Sequence, residues 1–203
     1  MKIAHVVPMT LAASLLAACS QGMAQSAAMP AGAMTASNSS ETMPVTVGGA
    51  PMYASKTIVA NAVNSKDHTT LVAAVKAAGL VATLEGPGPF TVFAPTNAAF
   101  AALPAGTVPA LLKPANKPTL TKVLTYHVVP GKLDYADLVA LIQKGGGSAR
   151  LTTVEGGTLT IMMNGMHNID VKDAKGDVAQ ITTYDVNQSN GVIQVIDKVM
   201  LPG

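Results

Sequence analysis

Met162, Met163 and Met166 stand beside His167, and three thioethers with one imidazole are a ligand set that suits copper(I). The spacing works against a site. Leu159, Ile161 and Met163 alternate onto one face of a strand, and His167, Ile169 and Val171 share a face of the next. Keeping both apolar sets on one side requires Met163 to oppose His167 across a turn Asn164-Gly165-Met166. Met162 then points away and Met166 lies in the turn, so at most two ligands converge. Adaptable core filler, with a partly buried histidine near a hairpin end, is the better account, and no metal site or cofactor is expected. Met23, Met29, Met34 and Met43, five to nine residues apart, offer only transient copper binding.

Catalysis has no firmer foothold. Asp134 and Asp137 lie three apart, close enough to share a helical face, yet solvation is the ordinary fate of such a pair. Gly145-Gly146-Gly147 precedes Ser148-Ala149-Arg150 and a strand, whereas a phosphate-cradling loop precedes a helix. There is no Gly-x-Ser-x-Gly elbow, no His-Glu-x-x-His and no Gly-x-x-x-x-Gly-Lys-Ser. No catalytic residue is expected.

Cys19 is the single cysteine and follows Leu16-Ala17-Ala18, the pattern of a bacterial lipobox in which the cysteine is lipidated and becomes the first mature residue. Lys2 supplies a small positive head, and Ile3 to Ala18 is mostly apolar, as an export signal requires. Ser20, with no aspartate after the cysteine, directs such a lipoprotein to the outer membrane where the cell has one. The alternative is a cleaved secretory peptide, cut after a stretch such as Ala24-Gln25-Ser26. Residues 20–53 are mostly Ala, Ser, Met, Gly, Pro and Thr with Glu41 as the one charge, and they read as a disordered tether. Residues 54–203 suit one domain. No other stretch reaches the roughly 18 to 20 apolar residues of a membrane span, so the membrane enters only through the lipid.

Charge and aromatic content narrow the partners. Twelve Lys or Arg against ten Asp or Glu are scattered singly along the domain, without the basic cluster that follows a phosphate backbone, so nucleic acid is not expected. The chain has seven aromatic residues and no Trp, which disfavours stacking platforms for sugars or bases.

The elements that would position these residues read as helices first and strands later. Thr57–Val63, Thr70–Ala78, Ala98–Leu103, Val108–Leu112, Thr119–Thr125 and Asp134–Gln143 have helical spacing; Asp67 or Thr69 is placed to cap the second, and Gly79 to end it. Ala149–Thr153, Thr158–Met163, His167–Val171, Val178–Tyr184 and Val192–Ile196 alternate as strands. Segregated helices and a late run of strands give an α+β domain, with short helices of the N-terminal half packed on a twisted sheet from the C-terminal half.

Three stretches carry further information. In Thr91-Val-Phe-Ala-Pro-Thr-Asn-Ala-Ala-Phe100 a strand breaks at Pro95, and Thr96 or Asn97 caps the next helix. In Leu124-Thr-Tyr-His-Val-Val-Pro-Gly131 helical spacing gives way to a β-segment Tyr126–Val129, in which Tyr126 and His127 point to opposite faces. In Asn190-Gly-Val-Ile-Gln-Val-Ile-Asp197 a turn at Asn190-Gly191 opens a strand apolar on both faces, hence one covered on both sides.

Together these blocks, in this order and spacing, resemble the fasciclin domain, over roughly Ala54 to Gly203. The resemblance implies adhesion or binding without catalysis; taken with the export signal and lipobox, the expectation is a monomeric, exported, lipid-anchored or secreted module that binds a protein or polysaccharide at the cell surface. It also marks Thr96, Asn97, Tyr126, His127, Asn190, Gly191, Gln194 and Asp197 as motif residues; the Tyr-His pair has been linked to receptor binding in the family. Asn97 stands where an acid is common, and Gln194 where histidine is typical, which removes a titratable or metal-binding group there. Some members hold apolar ligands such as carotenoids, so a small-molecule carrier is the alternative, beside the methionine-rich copper protein.

Overall fold

Short polar residues placed just before apolar runs open several of the helices. The computed structural model describes residues 44–203, and the expected signal segment, Cys19 and the tether up to residue 43 lie outside them. Helix α1 (Ile58–Ala62) begins at Thr57, whose Oγ1 accepts the Ala60 amide at 3.3 Å. Helix α2 (Thr69–Ala78) ends where Gly79 turns left-handed at φ 74°, and α3 (Val81–Glu85) follows. Helices α4 (Asn97–Ala101), α5 (Thr107–Leu111), α6 (Lys117–Tyr126) and α7 (Tyr135–Lys144) complete the set.

Two strands precede α1. β1 (Val45–Val47) and β2 (Ala50–Met52) form a hairpin with Val47 and Met52 buried in the core. The tether was expected to run to residue 53, but from Val45 the chain is already domain: two buried apolar side chains on one face suffice to hold a short hairpin on a larger core. Strands β3 (Phe90–Pro95), β4 (Val128–Pro130), β5 (Ser148–Thr152), β6 (Thr158–Asn164), β7 (Asn168–Lys172), β8 (Val178–Gln188) and β9 (Gly191–Ile196) build one sheet in the order β4-β3-β9-β8-β7-β6-β5. Only β3 and β9 run parallel; the other pairs are antiparallel. The sheet curls, and the Val154 amide just past β5 donates to the Val128 carbonyl of β4 at 2.8 Å.

Period-two alternation on the central strands separates two cores. Val92 and Ala94 of β3 with Ile193 and Val195 of β9 face Ile58, Leu71, Val75 and Leu124 of the helices. Phe93 and Ile196 face the other way, into a core shared with Leu138 and Ile142 of α7 and with Leu159, Ile161 and Ile169 of β6 and β7. All six residues of β9 are buried, as expected of a strand covered on both sides. The α+β class and the helices-on-sheet arrangement are as the sequence indicated, with α7 as a late helix.

Two local expectations are corrected. Tyr126 is the last residue of α6 and His127 its C-cap, so the segment is a helix-to-strand corner and not extended until Val128. The β6–β7 register pairs Met163 with Ile169 and Asn164 with Asn168, leaving Gly165-Met166-His167 as the turn. Gly165 has φ 75°, and placing it first in the turn puts the left-handed residue where the chain reverses.

Candidate functional site

The motif residues are spent largely on the chain's own backbone. Thr96 Oγ1 accepts the Ala99 amide at 3.3 Å and caps α4. Asn97, one residue on, reaches across to α2: its Oδ1 accepts the Thr70 amide at 3.0 Å and its Nδ2 donates to the Lys66 carbonyl at 2.8 Å. Thus the neighbouring pair caps two different helices, and α2 is capped from a distance, with neither Asp67 nor Thr69 in that role.

Tyr126 and His127 are 0% and 3% exposed, because a helix C-terminus turning into a strand can drive consecutive side chains into separate parts of the core. The Tyr126 hydroxyl donates to the Thr158 carbonyl at 2.8 Å and accepts the Ala174 amide at 3.0 Å. The Met200 amide donates to His127 Nε2 at 3.0 Å, so the proton sits on Nδ1, which donates to the Val123 carbonyl at 2.7 Å. Burial holds this imidazole down at about 4, and the Val123 carbonyl and the Asp173 carboxylate only partly offset it. His127 is a neutral bridge from α6 to the C-terminal segment.

Gln194 is fully buried on β9. Its Oε1 accepts the Asp185 amide at 3.1 Å, and its Nε2 donates to the Leu133 carbonyl at 3.2 Å and to Asp185 Oδ1 at 3.1 Å. Asp185 is left-handed at φ 55°, at an irregularity in the β8–β9 ladder, and its carboxylate also accepts the Tyr135 amide at 2.7 Å where α7 begins. Exposed Asp197 accepts the Gln180 amide at 2.7 Å. Asp134 and Asp137 form a reciprocal capping box on α7, each carboxylate accepting the other's amide.

Asn190 and Gly191 contribute to an open groove at the surface. Asn190 Oδ1 accepts the Ile58 amide at 3.1 Å and its Nδ2 donates to the Leu84 carbonyl at 2.7 Å, tying the β8–β9 turn to α1 and α3. A Cβ at Gly191 would sit 2.0 Å from the Phe90 carbonyl oxygen, so the close start of the parallel β3–β9 pair admits only glycine. Thr91, which sequence reading left without a role, donates to the Gly131 carbonyl at 2.7 Å and accepts the Leu133 amide at 2.8 Å. The loops so fixed rim an open groove of about 470 Å³ lined by Pro87, Pro89, Lys132, Gln188, Ser189 and Asn190. A shallower groove of about 430 Å³ runs along α7 between Leu133 and Lys144.

Interior space is small and apolar. Cavities of about 40 and 30 Å³ lie between α1, α2 and the sheet, room for a water or two each, so a carotenoid-sized guest requires the helices to part. The methionines do not assemble: Met162 opposes Asp170 while Met163 opposes Ile169, and exposed Met166 and His167 occupy the turn. Among the described residues there is no cluster of three or more His, Cys, Asp or Glu able to hold a metal, and no helix is long and apolar enough to cross a membrane. Sequence reading also missed buried Asn61, which pairs with both backbone groups of Tyr53 and with Gln188. Its place three residues after Ile58, on the apolar face of α1, was the available signal.

These features define a class: a small α+β scaffold whose buried polar groups rigidify loops at the end of a curled sheet. Residues 66–202 match the family model of the Fasciclin domain, and the chain belongs to that family. It is 48% identical to Protein sll1483 of Synechocystis over 176 residues, 86% of this chain and 88% of that one. It is 35% identical over 123 residues to the cell surface glycolipoprotein MPB83 of Mycobacterium bovis, 61% of this chain and 48% of that protein. The FAS1 domain pair from the insect cell adhesion molecule Fasciclin I matches the fold with a TM-score of 0.65 at 18% identity, over 72% of this chain and 51% of that one.

Proposed function

We propose that this protein is a non-enzymatic binding module of the cell envelope, exported and held by a lipid on Cys19, that takes a protein or polysaccharide partner. The partner docks on the groove between the Pro87–Pro89, Gly131–Lys132 and Ser189–Gly191 loops. One observation carries this reading: Asn190 and Thr91 lock those three loops to the helices and the sheet, which preorganises an exposed, polar surface. Tyr126, His127 and Gln194 then serve the fold and leave contact to the groove rim. The name of MPB83 places that relative at a cell surface, in keeping with an exported module here. The domain acts as a monomer, without metal or cofactor.

The test is capture from envelope extract on the immobilised full-length chain, with proteins, glycans and pigments identified together by mass spectrometry. Lys132→Glu and Ser189→Trp, both at exposed positions, lower capture about tenfold or more without altering the melt, if contacts in the groove resemble interface hot spots. Undiminished capture by both variants moves the partner surface elsewhere. A co-purifying chromophore or lipid with no macromolecule would favour carriage of an apolar ligand.

A further inference from the structure

The β1–β2 hairpin forms its own two-stranded sheet and shares no ladder with the seven-stranded one. It is held by burial of Val47 and Met52, by the Lys66 amide donating to the Gly48 carbonyl at 3.3 Å, and by Asn61 pairing with Tyr53 just after β2. Its turn rests directly on the 3-10 turn Lys66–His68: a Cβ at Gly48 would lie 2.4 Å from Ser65 Oγ and 2.7 Å from the Asp67 amide nitrogen. Movement in one turn is therefore felt by the other.

His68 sits beneath this hairpin, 3% exposed. Its Nδ1 hydrogen-bonds Ser65 Oγ at 2.9 Å, and its Nε2 has no hydrogen-bond partner among the described residues. It borders the 30 Å³ cavity lined by Val47 and Met52 of the hairpin and by apolar residues of α1, α2, β3, β8 and β9, none of them titratable. Helix α4, packed on the same turn, carries no titratable residue, and the charges on the turn itself are exposed Lys66 and Asp67. A neutral imidazole tolerates this cavity. An imidazolium must place a charge and a second N–H against this apolar lining, where the Ala94 backbone compensates only in part, and opening the hairpin relieves that cost.

We propose that the Val45–Met52 hairpin is an acid-released strap closing the small apolar cavity beside His68, with His68 as the group that releases it. Burial lowers the His68 proton affinity, more than Asp67 and the Ala94 backbone raise it. The sign follows: the strap is held fully above the unfolded value of 6.5 and weakens as pH falls below it. Release takes Val47 and Met52 away from that cavity and opens its apolar lining to water.

Methionine footprinting reads this on the full-length chain. Hydrogen peroxide transfers one oxygen to an accessible thioether and leaves water. Met52 is 4% exposed and reports the strap, Met166 at 86% is an internal reference, and Met200 at 1% reports the rest of the core. Between about pH 7.5 and about pH 5, a window spanning histidine titration, oxidation of Met52 relative to Met166 rises roughly fivefold or more while Met200 stays protected. In His68→Gln, which keeps an acceptor for Ser65 but cannot titrate, the Met52 signal is flat with pH. Unchanged Met52 oxidation in the wild type overturns the proposal, and so does a joint rise of Met52 and Met200, which is global unfolding. An acid response retained in His68→Gln also overturns it. If that variant does not fold, the wild-type footprint alone decides.

Discussion

His127 concentrates the residue-scale physics of this domain. Its ring accepts from Met200 and donates to Val123, an arrangement only the neutral imidazole can make. The folded-state value of about 4 lies below the ordinary 6.5, so as pH falls the unfolded chain takes the proton first. The stabilisation is complete above 6.5 and drains away toward 4, by about 3 kcal/mol in all at 1.36 kcal/mol per unit. His127→Gln is expected to be less stable than wild type by about 1 to 3 kcal/mol at neutral pH, the cost of a disrupted buried hydrogen bond. That gap should shrink by about 2 kcal/mol at pH near 4.5, as measured by urea denaturation. A gap constant with pH would mean that another group titrates.

At the scale of elements, Thr96 and Asn97 illustrate how adjacent residues come to serve different helices. Thr96→Ala removes the α4 cap and Asn97→Ala the α2 cap, each expected to cost about 1 kcal/mol and about 2 to 4 °C of melting temperature. Because the caps close separate helices, the double variant should lose the sum to within about 0.5 kcal/mol; a strongly sub-additive loss would show that the helices open as one. The sequence made the capping role of this pair legible, since a short polar residue after Pro95 and before Ala98-Ala99-Phe100 is a helix start. It could not reveal that Asn97 reaches the 3-10 turn and α2, because the partners, Lys66 and Thr70, are about thirty positions away in the chain. The β6–β7 register failed for a related reason: both turn placements keep Leu159, Ile161, Ile169 and Val171 inward, and only the left-handed requirement at Gly165 separates them.

For the whole molecule the question is where it is held and what it touches. Cys19→Ser is expected to move the chain from the membrane to the soluble fraction on cell fractionation, while the circular dichroism and melt of the domain stay as in wild type. Persistence in the membrane fraction would discard the lipid anchor. The same fractionation separates attachment from adhesion: a released chain that still captures its partner places binding in the domain alone.

Local pattern determined much of this protein. Period-two and helical spacing specify most elements, Gly79 marks a left-handed helix end and Asn190-Gly191 a turn, and three blocks in order identify the fasciclin fold. These signals are local, so a single sequence carries them. The hairpin at Val45–Met52, the corner at Tyr126-His127, the buried Asn61 and His68, and the groove rim are different. Each depends on partners far along the chain, where burial decides whether a polar side chain is solvated, a cap or an unpaired group, and that is settled only when the helices close over the sheet.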